Sequence, residues 1–277
     1  MTIKRVLLPL ADHKDIRPLA EAAFLVGRLQ QAQVRGLLVQ RAQLTIPYTG
    51  EYVDPDAMRR IAEDARKERD HIRKSAQELF QDVSKRFQQV EFEFSALEGN
   101  VVDTVAHAAR LADITILDGG AHYDNDAWLD LRDATLFRSG RPVLISPRGG
   151  IDETALDRVV IAWKEGVEAA RAVAAAQPFL LNAKEVHLIT VGETAEATIS
   201  LADVEQYLQL HYAEVRSEMI PHTPGEDVGR ILLDKAQAVG GLLVMGAYSR
   251  WRWREQIFGG VTEAVLHGAR TPVLMMR

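Results

Sequence analysis

Three segments of this chain occur twice, in the same order, and that duplication narrows the available folds more than any other feature. Lys4-Arg-Val-Leu-Leu-Pro-Leu10 is matched by Asp157-Arg-Val-Val-Ile-Ala-Trp163. Ala112-Asp-Ile-Thr-Ile-Leu-Asp-Gly-Gly120 is matched by Gly240-Gly-Leu-Leu-Val-Met-Gly-Ala-Tyr248, and Arg141-Pro-Val-Leu-Ile-Ser146 by Thr271-Pro-Val-Leu-Met-Met276. The offsets are 153, 128 and 130 residues, so the first copy carries 25 more residues than the second between its first two matched segments. A repeat of this period is a duplicated domain, since solenoid repeats are much shorter.

Each copy alternates short runs rich in Val, Ile and Leu with segments of helical periodicity. The runs predict strands over 6–9, 34–39, 90–95, 114–118 and 143–146, then over 159–162, 186–191, 215–220, 242–246 and 273–276. Several lack polar alternation, as strands buried on both faces of a parallel sheet do. Helices are predicted over 16–30, 56–89, 101–110, 167–181, 201–211, 225–239 and 261–269. The stretch 56–89 is long and charged, with Met58, Ile61, Ala65, Ile72, Leu79 and Val83 at helical spacing, and it accounts for the extra length of the first copy. Strand–helix alternation implies an α/β protein with two doubly wound, mainly parallel five-stranded sheets of Rossmann-like form, one per domain. The domains are expected at 1–148 and 154–277, with glycines at the centre of the linker Arg148-Gly-Gly-Ile-Asp-Glu153. The last strand of each copy would be an exposed edge if left alone, and such edges invite pairing.

Composition removes several function classes. No apolar run approaches the roughly 18–20 residues needed to cross a bilayer, so no membrane partner is expected. The apolar stretch near the N-terminus is about five residues long, too short for a signal peptide, and reads as a first strand. The chain has no cysteine; thiolate chemistry and disulfides are excluded, and a cytoplasmic location is expected. A net charge of −6, with 21 basic and 22 acidic residues up to position 150 and 12 and 17 beyond it, argues against a nucleic-acid partner. The local run Trp251-Arg-Trp-Arg254 is better suited to contact with a partner protein, because Trp and Arg are favoured interface anchors. His122, Asp124 and Asp126 read as a solvated loop, and no metal site is expected. There is no Gly-x4-Gly-Lys-(Ser/Thr) motif, no nucleophile elbow and no paired acid and base. No catalytic residue is assigned.

One stretch does suggest a binding site. Gly246 ends the predicted fourth strand of the second copy, and Gly259-Gly260-Val261-Thr262 opens its last helix. Ligands of open α/β sheets bind outside the carboxyl ends of strands, and a helix N-terminus preceded by glycines offers backbone N–H groups to an anion. The pattern Gly246-x2-Ser249-x9-Gly259-Gly260, with the flanking segments Leu243-Val-Met-Gly246 and Thr271-Pro-Val-Leu-Met275, resembles the universal stress protein family, here with two such domains in one chain. Many members of that family bind ATP through Gly-x2-Gly-x9-Gly-(Ser/Thr) at this place.

The resemblance implies the adenine nucleotide alpha hydrolase-like variant of the fold. It also implies an adenine nucleotide, ATP or AMP, in the second domain, with Mg2+ accompanying ATP. Gly246, Ser249, Arg250, Gly259, Gly260, Val261 and Thr262 would face the phosphates. Ala162, Trp163, Lys164, Val191 and Met245 would line the base and ribose side. Three positions depart from the family pattern. Ser249 replaces a glycine, at about 1 kcal/mol if a positive φ is required. Gly260 replaces a hydroxyl residue, removing a hydrogen bond to charge worth about 1–3 kcal/mol. Lys164 replaces an aspartate and cannot accept a hydrogen bond from ribose. In the first copy Leu129 and Asp130 stand where Gly259 and Gly260 stand in the second, and carboxylates there repel phosphate, so that domain is read as degenerate for nucleotide although Asp12 survives near its first strand. The resemblance further implies a stress-response or signalling module whose two edge strands pair within one chain as a pseudo-dimer, with a homodimer of chains left open. The alternative is a scaffold for stress-related interactions that has lost ATP binding. Slow ATP hydrolysis is a third reading, with no base or water-positioning residue to carry it.

Overall fold

A computed structural model describes residues 2–10, 16–41, 55–119, 126–212, 214–248 and 260–277. In chain order the first half contains β1 (Arg5–Leu10), α1 (Arg17–Gln30), β2 (Gln33–Gln40), α2 (Pro55–Ser84), β3 (Phe92–Glu98), α3 (Val101–Arg110), β4 (Ile114–Asp118), α4 (Asp126–Arg132) and β5 (Val143–Ser146). The second half contains β6 (Arg158–Ala162), α5 (Val167–Leu180), β7 (Glu185–Val191), α6 (Ala195–Gln209), β8 (Val215–Ile220), α7 (Val228–Val239), β9 (Leu242–Gly246), α8 (Gly260–Gly268) and β10 (Val273–Met276).

The strands of β1 to β10 form one sheet in the order β3-β2-β1-β4-β5-β10-β9-β6-β7-β8. The two five-stranded parallel sets expected from the sequence are both present, and they are continuous with each other. The seam is the β5–β10 pair, antiparallel, with Val273, Leu274 and Met275 opposite Ile145, Leu144 and Val143. The order is therefore palindromic: each half runs third, second, first, fourth, fifth strand towards the seam.

Alternation along each strand supplies a core on both faces. Val6, Leu8 and Leu10 of β1 join one buried cluster with Phe24 of α1, Phe80 of α2 and Phe179 of α5. Leu7 joins the opposite cluster with Val105 of α3, Trp128 and Leu131 of α4, and Val265 of α8. Both clusters run through the seam: Leu144 and Leu274 belong to the first, Ile145 and Val273 to the second. Strands buried on both faces have no polar alternation to show, which is why their sequences read as unbroken apolar runs.

Helix boundaries follow caps. Asn100 Oδ1 accepts from Asp103 N at 3.0 Å at the start of α3. Thr194 Oγ1 accepts from Ala197 N at 3.1 Å and starts α6 six residues before the expected 201. Asp227 caps α7, which begins three residues after the expected 225. Helix α2 ends at Ser84, where the expected helix ran to 89, and β3 is set at Phe92–Glu98 in place of 90–95. Helix α4 and the π-helical turn after it, Asp133–Phe137, were not expected. They form because Trp128, Leu131, Ala134 and Leu136 are all buried on one face of the sheet. The linker segment is short and ordered: Gly150 N donates to the Pro147 carbonyl at 2.9 Å, and Asp152 caps a single 3-10 turn, Glu153–Leu156.

Candidate functional site

In the second half, β6 lies between β9 and β7. The chain leaves β6 on one side for β7 and returns on the other for β9, and the crevice of an open α/β sheet lies at that reversal, beyond the carboxyl ends of the strands. A cavity of about 530 Å3 opens there. Ala162, Trp163 and Lys164 line it from the end of β6, Val191 and Gly192 from β7, and Met245 and Gly246 from β9. Thr194, Ala197 and Ser200 of α6 form one wall, and Tyr248, Val261 and Thr262 the opposite one.

Each wall is held by specific bonds. Trp163 N donates to the Ile189 carbonyl at 2.8 Å, and Thr190 Oγ1 donates to the Trp163 carbonyl at 3.0 Å, fixing the backbone where the chain leaves the sheet. The Trp163 indole packs against the core and Nε1 donates to Ser200 Oγ at 2.9 Å, so this ring spans from β6 to α6. A Cβ at Gly246 would meet Ala169 N at 2.8 Å and Glu168 Cβ at 2.9 Å. The first glycine of the pattern is thus explained by the first turn of α5 packing onto the end of β9. Gly260 is different: a Cβ there would meet nothing within 4 Å.

Tyr248 closes the crevice in a left-handed conformation, φ 53°, which costs a non-glycine residue about 1 kcal/mol and needs compensation. Its N–H donates to Thr262 Oγ1 at 3.2 Å, and its hydroxyl donates to Glu263 Oε1 at 2.7 Å. Its ring centroid lies 4.7 Å from that of Phe137. Burial, followed by the hydrogen bond to Glu263, raises the phenol well above its ordinary pKa. Glu263 in turn accepts from Arg132 Nη1 at 3.3 Å, and Arg132 Nη2 lies 3.0 Å from Asp133 Oδ1. The Arg132 side chain is 6% exposed. Arg132, Asp133 and Phe137 belong to the first half, so the wall formed by Tyr248 and Thr262 is braced across the seam.

The charges on the described lining are mixed. Lys164 is the one ammonium, while Glu165, Glu168 and Glu196 contribute three carboxylates, and His222 lies at the rim with its Nε2 3.3 Å from the Glu226 carbonyl oxygen. Gly166 precedes α5 as an N-cap with no side chain to cap it, leaving the N–H groups of the first turn beside the cavity that Glu168 and Ala169 line.

Of the residues singled out from the sequence, Ala162, Trp163, Lys164, Val191, Met245, Gly246, Val261 and Thr262 line this one cavity, and Gly260 heads α8 next to it. Ser249, Arg250 and Gly259, together with the Trp251–Arg254 run, lie outside the described residues. Ser200, Thr194, Tyr248 and Glu263 were not anticipated. Thr194 carries a sequence signal as an N-cap residue, whereas nothing local marks Arg132 as a neighbour of Glu263, 131 residues away. In the first half, the carboxyl end of β4 corresponds to that of β9. Trp128 sits there, 2% exposed, with Nε1 donating to the Asp118 carbonyl at 3.0 Å. Asp130 is paired with Arg41 at 2.8 Å. His122 and Asp124 fall outside the described residues. Among those described, no group of three or more His, Asp or Glu could hold a metal ion, and no helix is long and apolar enough to cross a membrane.

No protein-family model and no curated protein matches the sequence. Solved structures do match the fold. A universal stress protein from Archaeoglobus fulgidus DSM 4304 superposes with a TM-score of 0.72 at 18% identity, over 100% of this chain and 97% of its own. A functionally unknown protein from Pseudomonas aeruginosa PAO1 gives 0.57 at 14% identity, over 99% and 92%. The cytoplasmic domain of a prokaryotic cation chloride cotransporter gives 0.56 at 11% identity, over 99% and 95%. The same architecture thus recurs in proteins of different description, so function has to be argued from the site. Over its whole length, the chain has the fold of the universal stress proteins.

Proposed function

We propose that the cavity of the second half binds an adenine nucleotide, ATP or AMP, and that the protein acts as a stress-response or signalling module by binding, without turnover. The observation that carries this is the convergence of eight sequence-selected residues on one cavity of about 530 Å3 at the carboxyl edge of β6, β7 and β9. That volume suits a nucleotide-sized ligand. In this reading Ala162, Val191 and Gly192 flank the base, Trp163 and Ser200 bound the ribose side, and the α8 N-terminus faces the phosphates through its free N–H groups. Lys164 supplies a cation. Mg2+ would arrive on the phosphates of ATP, since the described residues offer no metal cluster of their own.

A second reading has a specific observation in its favour. Glu165, Glu168 and Glu196 place three acidic residues on the lining of the same cavity, and Thr262 Oγ1 is already engaged by Tyr248 N. Both features disfavour phosphate, as a scaffold that has lost nucleotide binding would.

Gly260→Asp separates the two. The substitution has open space at Cβ and places an acid in the first turn of α8, which favours the helix, so the fold is retained while phosphate is repelled. Calorimetry with ATP and AMP is expected to give binding at about micromolar Kd in the parent protein and at least about a hundredfold loss in the variant. No heat from the parent protein at about millimolar nucleotide would establish the scaffold instead.

A further inference from the structure

The first half contains a recess of its own. It has a volume of about 440 Å3 and is lined by Gln40, Arg66, Arg69, Asp70, Arg73 and Glu98. Its floor is the carboxyl ends of β2 and β3, where Gln40 and Glu98 are register partners. Its wall is α2. By the duplication, β2 and α2 correspond to β7 and α6, so the recess occupies a place in the first half that borders the cavity in the second.

Helix α2 lies on the sheet through Ile72, Ala76, Leu79, Phe80 and Val83. Arg69 stands on the same stripe, seven residues before Ala76 and eleven before Phe80, which are two and three helical turns. Arg69 interrupts the apolar stripe, between Ala65 and Ile72, at the turn that meets the carboxyl end of β2. Arg69 is half-buried, and its carbonyl accepts from Gln40 Nε2 at 3.0 Å, which ties this turn to the end of β2. Arg73 is paired with Asp70 at 2.9 Å. Among the described residues, neither Arg66 nor Arg69 has a carboxylate partner, although Glu98 lines the same recess. A guanidinium on the inward stripe of a helix has given up part of its hydration and calls for an acceptor, and its fork matches an oxyanion.

We infer that this recess is an oxyanion site for the phosphoryl group of a small phosphorylated polyol. Arg66 and Arg69 hold the phosphoryl oxygens. Gln40 Oε1 and the Glu98 carboxylate accept from hydroxyls on the carbon skeleton. The carboxylate of Asp70 offsets the charge of Arg73, and Glu98 opposes the anion, so the bare phosphate ion binds less well than an ester whose hydroxyls satisfy Glu98. The site is separate from the second-half cavity and independent of the nucleotide reading.

The test is calorimetry on the full chain at low ionic strength, where charge is least screened, with inorganic phosphate and glycerol 3-phosphate as probes. It is run on the parent protein and on Gly260→Asp, which removes any phosphate seat in the second half. Glycerol 3-phosphate is expected to bind both with Kd below about 1 mM and more tightly than phosphate. Arg69→Gln should weaken both probes at least about tenfold. Glu98→Gln should tighten inorganic phosphate and shrink the advantage of the ester, a gain that misfolding does not produce. Absence of heat at about 10 mM probe, binding lost in Gly260→Asp, or affinities unmoved by Arg69→Gln and Glu98→Gln would each overturn the proposal.

Discussion

Arg132 is the residue on which the second-half site leans most. Its side chain is 6% exposed, and its guanidinium reaches Glu263, whose side chain is 20% exposed. Removing one member of a pair this buried costs about 3–5 kcal/mol, because the other charge is left without a partner. Arg132→Met should therefore lower urea stability by about 3 kcal/mol, and adding Glu263→Gln should recover most of the loss, since Gln keeps an acceptor for the Tyr248 hydroxyl. Tyr248 gives a pH signature of its own. Its pKa is raised above the ordinary 10.0 by burial and by Glu263. The folded state thus retains a proton that the unfolded state releases, so the stabilisation is whole below pH 10 and falls as pH rises beyond it. Tyr248→Phe should cost about 1 kcal/mol at neutral pH and flatten the alkaline limb of a stability–pH profile; an unchanged limb would show that another group sets it. Sequence reasoning found eight of the lining residues because strand ends and glycines are local signals. It missed Arg132, Tyr248 and Glu263 because their meeting depends on how two distant halves join.

Elements were legible in proportion to how local their causes are. Ten strands were read with the correct order along the chain, since a strand buried on both faces writes an apolar run directly into the sequence. Helix ends were less legible, because Thr194 and Asp227 decide them by a single side-chain bond each. Helix α4 was missed for another reason: seven residues carry too few turns to show a period, and the turn after it is π-helical. Helix α2 was expected from its spacing, but not its closeness to the sheet. A Cβ at Gly36 of β2 would lie 2.6 Å from Phe80 Cε1, and Phe80 is fully buried. Gly36→Ala should then destabilise by about 1–3 kcal/mol through overpacking. The same substitution in a Phe80→Leu background should cost less, and the difference between the two backgrounds, measured by denaturant midpoints, reports the contact itself. Equal costs would place the strain elsewhere.

At the scale of the molecule, the duplication predicted two copies of one architecture, and the topology adds how they join. Three residue pairs across β5 and β10 convert two five-stranded sets into one sheet, and both buried clusters cross that line. The expected boundary at 148–154 therefore corresponds to no gap in the core. Halves that share so much buried surface should unfold together, because exposing either face of β5 uncovers its counterpart on β10. The chain supplies its own reporters: Trp128 is buried in the first half, and Trp163 is partly buried in the second. With the other tryptophans replaced by Phe, a protein retaining only Trp128 and one retaining only Trp163 should give coincident urea transitions. Leu274 is fully buried and lies opposite Leu144 at the seam. Leu274→Ala should lower both midpoints together, by an amount equivalent to about 2–5 kcal/mol. If the Trp163 transition moved while the Trp128 transition stayed in place, the two halves would be independent folding units that merely touch. In that case the brace from Arg132 to Tyr248 could not transmit the state of the first half to the cavity of the second.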